Sequence, residues 1–215
     1  MDSTIRRIFE TAAMHSYEPA DGHGLRHDPF NAIVGPRPIG WIASRSGTGI
    51  LNLAPYSFFN AFNYTPPIIG FASTGWKHSA ANIAATGEFV WNLATRSLAE
   101  AMNASAASVP PESDEFALAG LTPVPSRLVD VPRVGESPVA FECRLLQQFQ
   151  LHDLKGEAVQ TWLTLGQVVA VHINRSLIRD GIYDTAAAHP ILRGGGPTAY
   201  IEVEPGAFFH MTRPQ

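Results

Sequence analysis

Two long alternating segments in the second half of the chain constrain the fold more than any other feature. Residues 138–151 place Val139 and Phe141 on one face of an extended chain and Glu142 on the other, and residues 161–174 repeat this period of two. Such sustained alternation is typical of a β-strand with one buried face. The polar stretch HDLKGE between the two segments contains a glycine, so the pair predicts a long antiparallel hairpin.

Shorter strands are predicted before this hairpin. They are apolar runs bounded by glycine, proline or serine, at residues 36–44, 50–54, 66–73 and 88–94. The first two runs flank the turn sequence SGTG and predict a second hairpin. The order of elements lacks the strand–helix alternation of a parallel sheet. The expected fold class is therefore mainly β (α+β), an antiparallel barrel of six or seven strands with helical insertions.

Helices are predicted at two places. Residues 78–87 form one helix, with Ser79 as its N-cap and Gly87 as its C-terminal stop. A helical excursion occupies about residues 96–120. The proline-rich stretch that follows it predicts an extended wrap over a surface. The expected organisation is an N-terminal extension, a single domain and a C-terminal tail, at residues 1–27, 28–205 and 206–215.

Composition excludes several classes of protein. Apolar residues make up 45% of the chain and charged residues 16%, which excludes intrinsic disorder. The net charge of −4 gives no basis for a nucleic-acid or anionic-membrane partner. The single cysteine, Cys143, excludes an internal disulfide, and the lack of a signal sequence or a long apolar run predicts a soluble cytoplasmic protein. The low charge indicates that a partner subunit covers part of the surface.

The sequence motifs of several common enzyme classes are missing. There is no GxGxxG, GxxxxGK[ST], GxSxG, CxxC or HExxH pattern. His23 and His27 stand four residues apart, but the glycines around them favour a solvated loop over a metal site, and no metal is expected. His172 is interpreted as a surface or interface histidine, and Cys143 as a small buried hydrophobe.

One region combines groups that suit a phosphate and a flat polar ring. Arg37 opens a predicted strand that Ser44 closes, and residues 57–63 contain three phenylalanines and two asparagines. At the start of the predicted helix stand Lys77, His78 and Ser79. Free amides and the positive end of the helix dipole make such a start an anion site. The same residues also fit ordinary roles, as aromatic core and as a helix cap, so on their own they do not name a ligand.

Taken together, these segments resemble the flavin reductase-like family of FMN-binding split-barrel flavoproteins. The matching stretches are DPFNAIVGPRPIGWIAS, NLAPYSFFNAFNYTPPIIGF, KHSAANIAATGEFVWNLA, MNASAASVPPESDEFALAGLTPVPSRLV, SPVAFECRLLQ and ILRGGGPTAY. They cover roughly residues 28–200. The family includes flavoredoxin and the reductase components of two-component monooxygenases, of the nitrilotriacetate monooxygenase component B type. The resemblance implies a six-stranded antiparallel split barrel that works as a homodimer, with FMN near the subunit interface.

The resemblance also implies a set of cofactor-binding residues. These are Arg37, Pro38, Ile39 and Ser44 on the strand that lines the flavin; Ser57, Phe58, Phe59 and Asn60 in the loop at its pyrimidine edge; Lys77, His78 and Ser79 in the phosphate-binding turn; and Arg193, with Tyr200, in a closing element. Two positions depart from the family pattern. His78 stands where an acidic residue is expected, and Ser79 where threonine is common. The extra Gly-Pro in RGGGPTAY alters the spacing to Tyr200.

The function that this resemblance implies is that of an NAD(P)H:flavin oxidoreductase, which supplies reduced flavin to a partner monooxygenase. FMN is the expected cofactor, with FAD as the alternative, and NAD(P)H is the cosubstrate. No catalytic side chain is expected, because the hydride passes directly between nicotinamide and flavin. Three other interpretations stay open: a flavoredoxin-type electron carrier with little NAD(P)H activity, an FMN-dependent oxidase similar to the pyridoxamine-phosphate oxidases, and a binding module without flavin.

Overall fold

The computed structural model of the chain describes residues 14–214. Residues 1–13, the first part of the predicted N-terminal extension, lie outside this description, as does residue 215. Within the described chain, no helix combines the length and the apolar character that crossing a membrane requires.

The described chain consists mainly of strands, with a few short helices between them. The strands are β1 (Arg37–Pro38), β2 (Gly40–Arg45), β3 (Leu51–Tyr56), β4 (Phe59–Asn63), β5 (Ile68–Thr74), β6 (Glu88–Asn92), β7 (Pro123–Val124), β8 (Arg133–Val134), β9 (Val139–His152), β10 (Ala158–Ile173), β11 (Ile178–Arg179), β12 (Ile182–Tyr183), β13 (Ile191–Arg193) and β14 (Tyr200–Glu202). The α-helices are α1 (Phe30–Ile33), α2 (His78–Thr86), α3 (Ala99–Ala104) and α4 (Glu115–Leu118). Single turns of 3-10 helix lie at Pro19–Asp21, Arg96–Leu98, Arg175–Leu177, Ala186–Ala188 and Pro205–Ala207.

One antiparallel sheet carries the fold, with its strands in the order β3-β2-β6-β9-β10-β5-β4. Both predicted hairpins are present in it, since β2 pairs with β3 and β9 pairs with β10. Although β3 and β5 stand far apart in this order, the rings of Tyr56 and Phe71 approach to 4.4 Å between centroids. The sheet is therefore curled into a half-barrel. The prediction of a mainly β, antiparallel split barrel is confirmed.

The main sheet has seven strands, one more than the resemblance implies. Strand β4 pairs with β5 at the sheet edge, whereas no strand was predicted over residues 57–63 and residues 57–60 were expected in a loop. That expectation is wrong for Phe59–Asn63. The reason is the edge position: most of β4 is exposed, so the segment lacks the buried face by which a strand is recognised in a sequence.

The sheet is buried on both faces at β2. Along β2, Trp41 belongs to one core cluster and the next residue, Ile42, to the other, as the alternation of a strand requires. Ile83 of α2 packs into the cluster of Ile42. Met102 of α3 and Phe116 of α4 pack into the cluster of Trp41. The helices thus cover sheet faces that would otherwise be open to solvent.

The proline-rich stretch after α4 wraps over the sheet as predicted, and it changes the surroundings of Glu142. Glu142 was expected on a polar face of its strand, but the side chain is fully buried. Its carboxylate accepts hydrogen bonds from the backbone N–H groups of Arg127 (2.7 Å) and Leu128 (2.6 Å). His172, expected at the surface or an interface, is partly exposed, and its Nε2 lies 2.5 Å from the same carboxylate. Glu142 therefore anchors the wrap to the sheet.

Candidate functional site

A cleft of about 520 Å³ opens beside the N-terminus of α2, and its volume is typical of small-molecule sites, which span roughly 300–1,000 Å³. Its walls come from β3, the turn between β3 and β4, the end of β5, residues 76–79, and residues 105–109 after α3. Five of the predicted site residues line it: Ser57, Phe58, Lys77, His78 and Ser79. The structure thus brings the predicted phosphate turn and the predicted ring-binding turn to one cleft.

Helix α2 begins at this cleft without a side-chain cap. Lys77 is its N-cap residue, with extended backbone angles (φ −90°, ψ 173°) and no side-chain hydrogen bond to the first turn. The Ala81 N–H bonds to the Lys77 carbonyl, so the amides of residues 78–80 have no partner within the helix. The prediction that Ser79 is the N-cap is wrong, whereas Gly87 does end the helix, with φ of 73°. Free amides, the dipole and Lys77 are the groups that bind anions at helix starts.

Ser79 is the second residue of α2, past the N-cap position, and its hydroxyl is turned into the protein. It is fully buried and accepts a hydrogen bond of 2.9 Å from Asn52 Nδ2. The same Asn52 nitrogen donates to Ser44 Oγ at 3.1 Å, and Asn82 Nδ2 donates to Ser44 at 3.3 Å. Ser44, predicted to lie near the phosphate, is therefore connected to the cleft wall through Asn52 and is buried behind it.

Two buried titratable groups also line the cleft, Tyr56 and Glu115. Burial raises the pKa of Tyr56, and hydrogen bonding to Ser79 opposes the rise only in part. Burial also raises the pKa of Glu115, against the opposing effects of hydrogen bonds, one of them from the Leu53 N–H at 3.2 Å, and of the nearby His78. The phenol is therefore neutral at physiological pH, and Glu115 holds its proton to a higher pH than an exposed glutamate does.

Arg37 fixes the turn that forms the aromatic wall. Its Nε donates to the Ser57 carbonyl at 3.0 Å, and its NH1 donates to the carbonyls of Val34 (3.1 Å) and Asn31. Its guanidinium carbon lies 5.5 Å from the centre of the Phe58 ring. Arg37 is buried, and it acts on the cleft through Ser57 and Phe58, since backbone carbonyls engage its Nε and NH1.

Arg193 is engaged in a similar way outside the cleft lining. Arg193 on β13 lies opposite Arg37 on β1 in the register of the antiparallel strand pair. Its guanidinium donates to the carbonyls of Pro197 (2.6 Å) and Ala199 (2.7 Å) and lies 4.9 Å from the Tyr200 ring centre. These contacts close the RGGGPTAY loop on itself, so a direct contact of Arg193 with a flavin stays a prediction.

Four further predicted residues lie outside the cleft lining. Pro38 is in β1, and Ile39 is a core residue whose carbonyl accepts from Trp91 Nε1 at 2.9 Å. Phe59 stacks on Trp91, with centroids 5.7 Å apart. Asn60 lies on β4, and its Oδ1 accepts from the next backbone N–H at 2.8 Å. Their contact with a cofactor also stays a prediction.

Several residues of the cleft were not predicted from the sequence, among them Asn52, Tyr56, Trp76 and Glu115. Asn52 had a local signal, since it is the polar residue of the apolar run ILNLA. Trp76 directly precedes Lys77 and shares its position at the helix start. Glu115 had no comparable signal, because only the folding of α4 against β3 brings it to the cleft.

Comparison with known proteins gives a consistent result. The chain matches the flavin reductase like domain over residues 35–191. An uncharacterized protein of Halalkalibacterium halodurans is 36% identical over 180 residues, which cover 80% of this chain and 85% of that protein. Nitrilotriacetate monooxygenase component B from Bacillus cereus is 31% identical, with a TM-score of 0.83 over 94% of this chain and 100% of that one.

The fold is also that of the 2-nitrobenzoate 2-nitroreductase of Pseudomonas fluorescens, which is 28% identical. The TM-score is 0.75, and the match covers 86% of this chain and 88% of that one. The match to the family domain includes the whole curled sheet, α2 and every residue that lines the cleft. The resemblance inferred from the sequence is confirmed, and the chain belongs to the flavin reductase-like family, a family of flavin-binding proteins.

Proposed function

We propose that this protein is an FMN-binding flavin reductase, which takes a hydride from NAD(P)H and supplies reduced flavin to a partner monooxygenase. One observation carries the proposal: in a member of a flavin-binding family, the uncapped start of α2 opens on a cleft large enough for a flavin. Lys77 and His78 flank this start. FAD is the alternative flavin, and a flavoredoxin-type electron carrier is the alternative function.

The phosphate end of the proposed site is the start of α2. A flavin phosphate carries up to two negative charges, and the amides of residues 78–80 together with Lys77 supply donors and positive charge. Ser79 contributes through its backbone amide, while Asn52 holds its hydroxyl in place. Asn52 also bonds to Ser44, so Ser44 supports this end from behind.

The ring end of the proposed site is the turn at Ser57 and Phe58. Arg37 holds this turn rigidly, so its backbone groups and the half-exposed Phe58 ring are fixed before a ligand arrives. Phe59 and Asn60 continue the wall into β4. We assign Pro38, Ile39 and Arg193 a supporting role, in that their contacts fix β1, the core beneath it and the closing loop.

The chain itself needs to supply little acid–base chemistry. When bound, the isoalloxazine ring accepts a hydride from a reduced nicotinamide and passes the electrons on. The protein's part is to bind, to orient and to limit water. Burial raises the pKa of Glu115, which shifts this carboxyl group toward its neutral form and so lessens its repulsion of an anionic ligand in the same cleft.

A second copy of the chain and a monooxygenase are the proposed partners. Exposed apolar side chains on the long hairpin, among them Leu146, Phe149 and Val171, support burial against another subunit. The likeness to a monooxygenase component B supports a partner oxygenase. A homodimer in light scattering is the expected solution state.

Flavin titration followed by anaerobic reduction tests the proposed function. The purified protein is expected to quench the fluorescence of added FMN and to hold it with one flavin per chain. Addition of NADH or NADPH without oxygen should then bleach the visible flavin band. A protein that binds FMN but is bleached by neither nucleotide would be an electron carrier, and a protein that takes up no flavin would contradict the proposal altogether.

A further inference from the structure

We propose that Trp76 is the platform for the adenine ring of a dinucleotide, either FAD or NAD(P)H, and so sets which nucleotides this cleft prefers. The proposal rests on the proposed function, because it takes the start of α2 as the position of a phosphate. It goes beyond that function in naming a subsite for the half of the nucleotide that FMN lacks.

Trp76 lies beside the proposed phosphate site, where the second half of a dinucleotide would extend from the phosphate. It directly precedes Lys77, the N-cap residue of α2, and both line the same cleft. Trp76 is 50% exposed to solvent. A flat ring that stacked on this exposed indole face would remove apolar area from water.

The indole is held ready for stacking. Its neighbour Gly75 adopts φ of 89°, a left-handed conformation that favours glycine. The Gly75 N–H donates to the Gln160 carbonyl and its carbonyl accepts from Ser73 Oγ, both at 2.8 Å. The Trp162 ring meets the Trp76 ring edge-on, with centroids 5.5 Å apart and an angle of 67°. A platform fixed in this way loses little conformational entropy when a ring stacks on it.

The chemistry of the ligand follows from this order of groups. A dinucleotide continues from its first phosphate to a second phosphate, a ribose and an adenine, whose flat π-face stacks on aromatic side chains. FMN ends at its single phosphate. Trp76 is therefore a specificity-determining residue that acts on FAD or NAD(P)H and leaves FMN binding unaffected.

The test compares paired ligands in the full-length protein and its Trp76→Ala variant. Dissociation constants for FMN and FAD are measured by fluorescence quenching. The KM for NADH is compared with that for reduced nicotinamide mononucleotide, which lacks the adenine half. Trp76→Phe keeps an aromatic face, and Tyr64→Ala removes an aromatic side chain that is 93% exposed and lies outside the cleft lining.

Trp76→Ala is expected to raise either the dissociation constant for FAD or the KM for NADH by about tenfold, the lower range of base–aromatic stacking. The matching ligand without adenine, FMN or reduced nicotinamide mononucleotide, should be unaffected. A loss for FAD assigns the subsite to the flavin, and a loss for NADH assigns it to the cosubstrate. Trp76→Phe should retain most of the affinity, and Tyr64→Ala all of it.

Equal losses for FMN and FAD, with no separation of the two nicotinamides, would overturn the proposal, since Trp76 would then only support Lys77. A Trp76→Ala variant that dissociates into monomers with all four ligands unaffected would also overturn it and would make Trp76 a subunit contact. Failure of the unaltered protein to bind FMN would contradict the proposed function, and this inference with it.

Discussion

Asn52 Nδ2 donates a hydrogen bond of 2.9 Å to the Ser79 hydroxyl and so ties strand β3 to the first turn of α2. The same nitrogen reaches Ser44 on β2. A single amide thus positions the helix start that forms the phosphate end of the proposed site, although it is 27 residues from Ser79 in the chain.

Replacing Asn52 with alanine should weaken FMN binding without removing any group that touches the phosphate. The two serine hydroxyls lose a buried donor, which costs about 1–3 kcal/mol in unfolding free energy. Urea denaturation and FMN titration measure the two effects. Because Asn52 acts through Ser79, the losses from Asn52→Ala and Ser79→Ala should not add in the double variant; simple additivity would show that the two residues act independently.

Glu115→Gln should flatten the pH dependence of FMN binding. Burial raises the pKa of Glu115 above its ordinary value of 4.5. As the pH rises through that raised pKa, the carboxyl group ionises and repels the phosphate, so the affinity of the unaltered protein for FMN should fall. Glutamine keeps the shape and an acceptor for the Leu53 N–H but carries no charge. FMN titrations over a pH series check this, and parallel curves for the two proteins would contradict it.

Glu142→Gln should destabilise the fold at neutral pH. Burial alone would raise the pKa of Glu142, but hydrogen bonds from the Arg127 N–H, His172 and the Leu128 N–H, with the charge of His172, hold it below the ordinary 4.5. Because the pKa of Glu142 is lower in the folded protein than its ordinary value, the ionised carboxylate stabilises the fold at pH values above that ordinary pKa. That contribution is lost as the pH falls through the lowered pKa of the folded protein.

The variant is expected to lose about 1–3 kcal/mol in unfolding free energy at neutral pH and less under acid conditions, where the unaltered protein has also lost the contribution. Urea denaturation across this pH range measures the difference. Glu157→Gln, in the exposed turn between β9 and β10, serves as a control. A Glu142→Gln variant with the same deficit at every pH would contradict this account.

Cys143 should be inert in the native protein. The side chain is fully buried, and burial raises the pKa of its thiol well above the ordinary 9.0, so the reactive thiolate is absent at neutral pH. A disulfide-exchange reagent should modify it only after denaturant is added. Rapid modification of the folded protein, with its unfolding transition unchanged, would be inconsistent with this environment.

Local patterns predicted the parts of the fold that depend on neighbouring residues. The period of two over residues 138–151 and 161–174 predicted the β9–β10 hairpin correctly, because alternation follows directly from strand geometry. Strand β4 was missed because edge strands need no buried face. Glu142 was misplaced because the segment that buries it lies some fifteen residues away in the chain, and alternation says nothing of what covers a face.

The candidate site divides in the same way. Lys77 and His78 were predicted because the start of a helix is a local feature. Asn52 and Glu115 come from separate parts of the chain and meet the helix only in the folded protein. Arg37 and Arg193 were assigned to the flavin site through the family resemblance; backbone carbonyls engage both side chains, and their contact with a flavin stays a prediction.

The most direct test of the account compares the only two lysines of the chain. Lys77 lines the cleft at the start of α2, whereas Lys155 lies in the exposed turn between β9 and β10. FMN dissociation constants are measured for Lys77→Ala and Lys155→Ala, with riboflavin, which has no phosphate, as the second ligand. Lys77→Ala should weaken FMN roughly 10- to 100-fold, as expected for a lost charge-assisted hydrogen bond, and leave riboflavin unchanged, while Lys155→Ala alters neither. Equal FMN affinity in the two variants would contradict the assignment of this cleft as the flavin phosphate site.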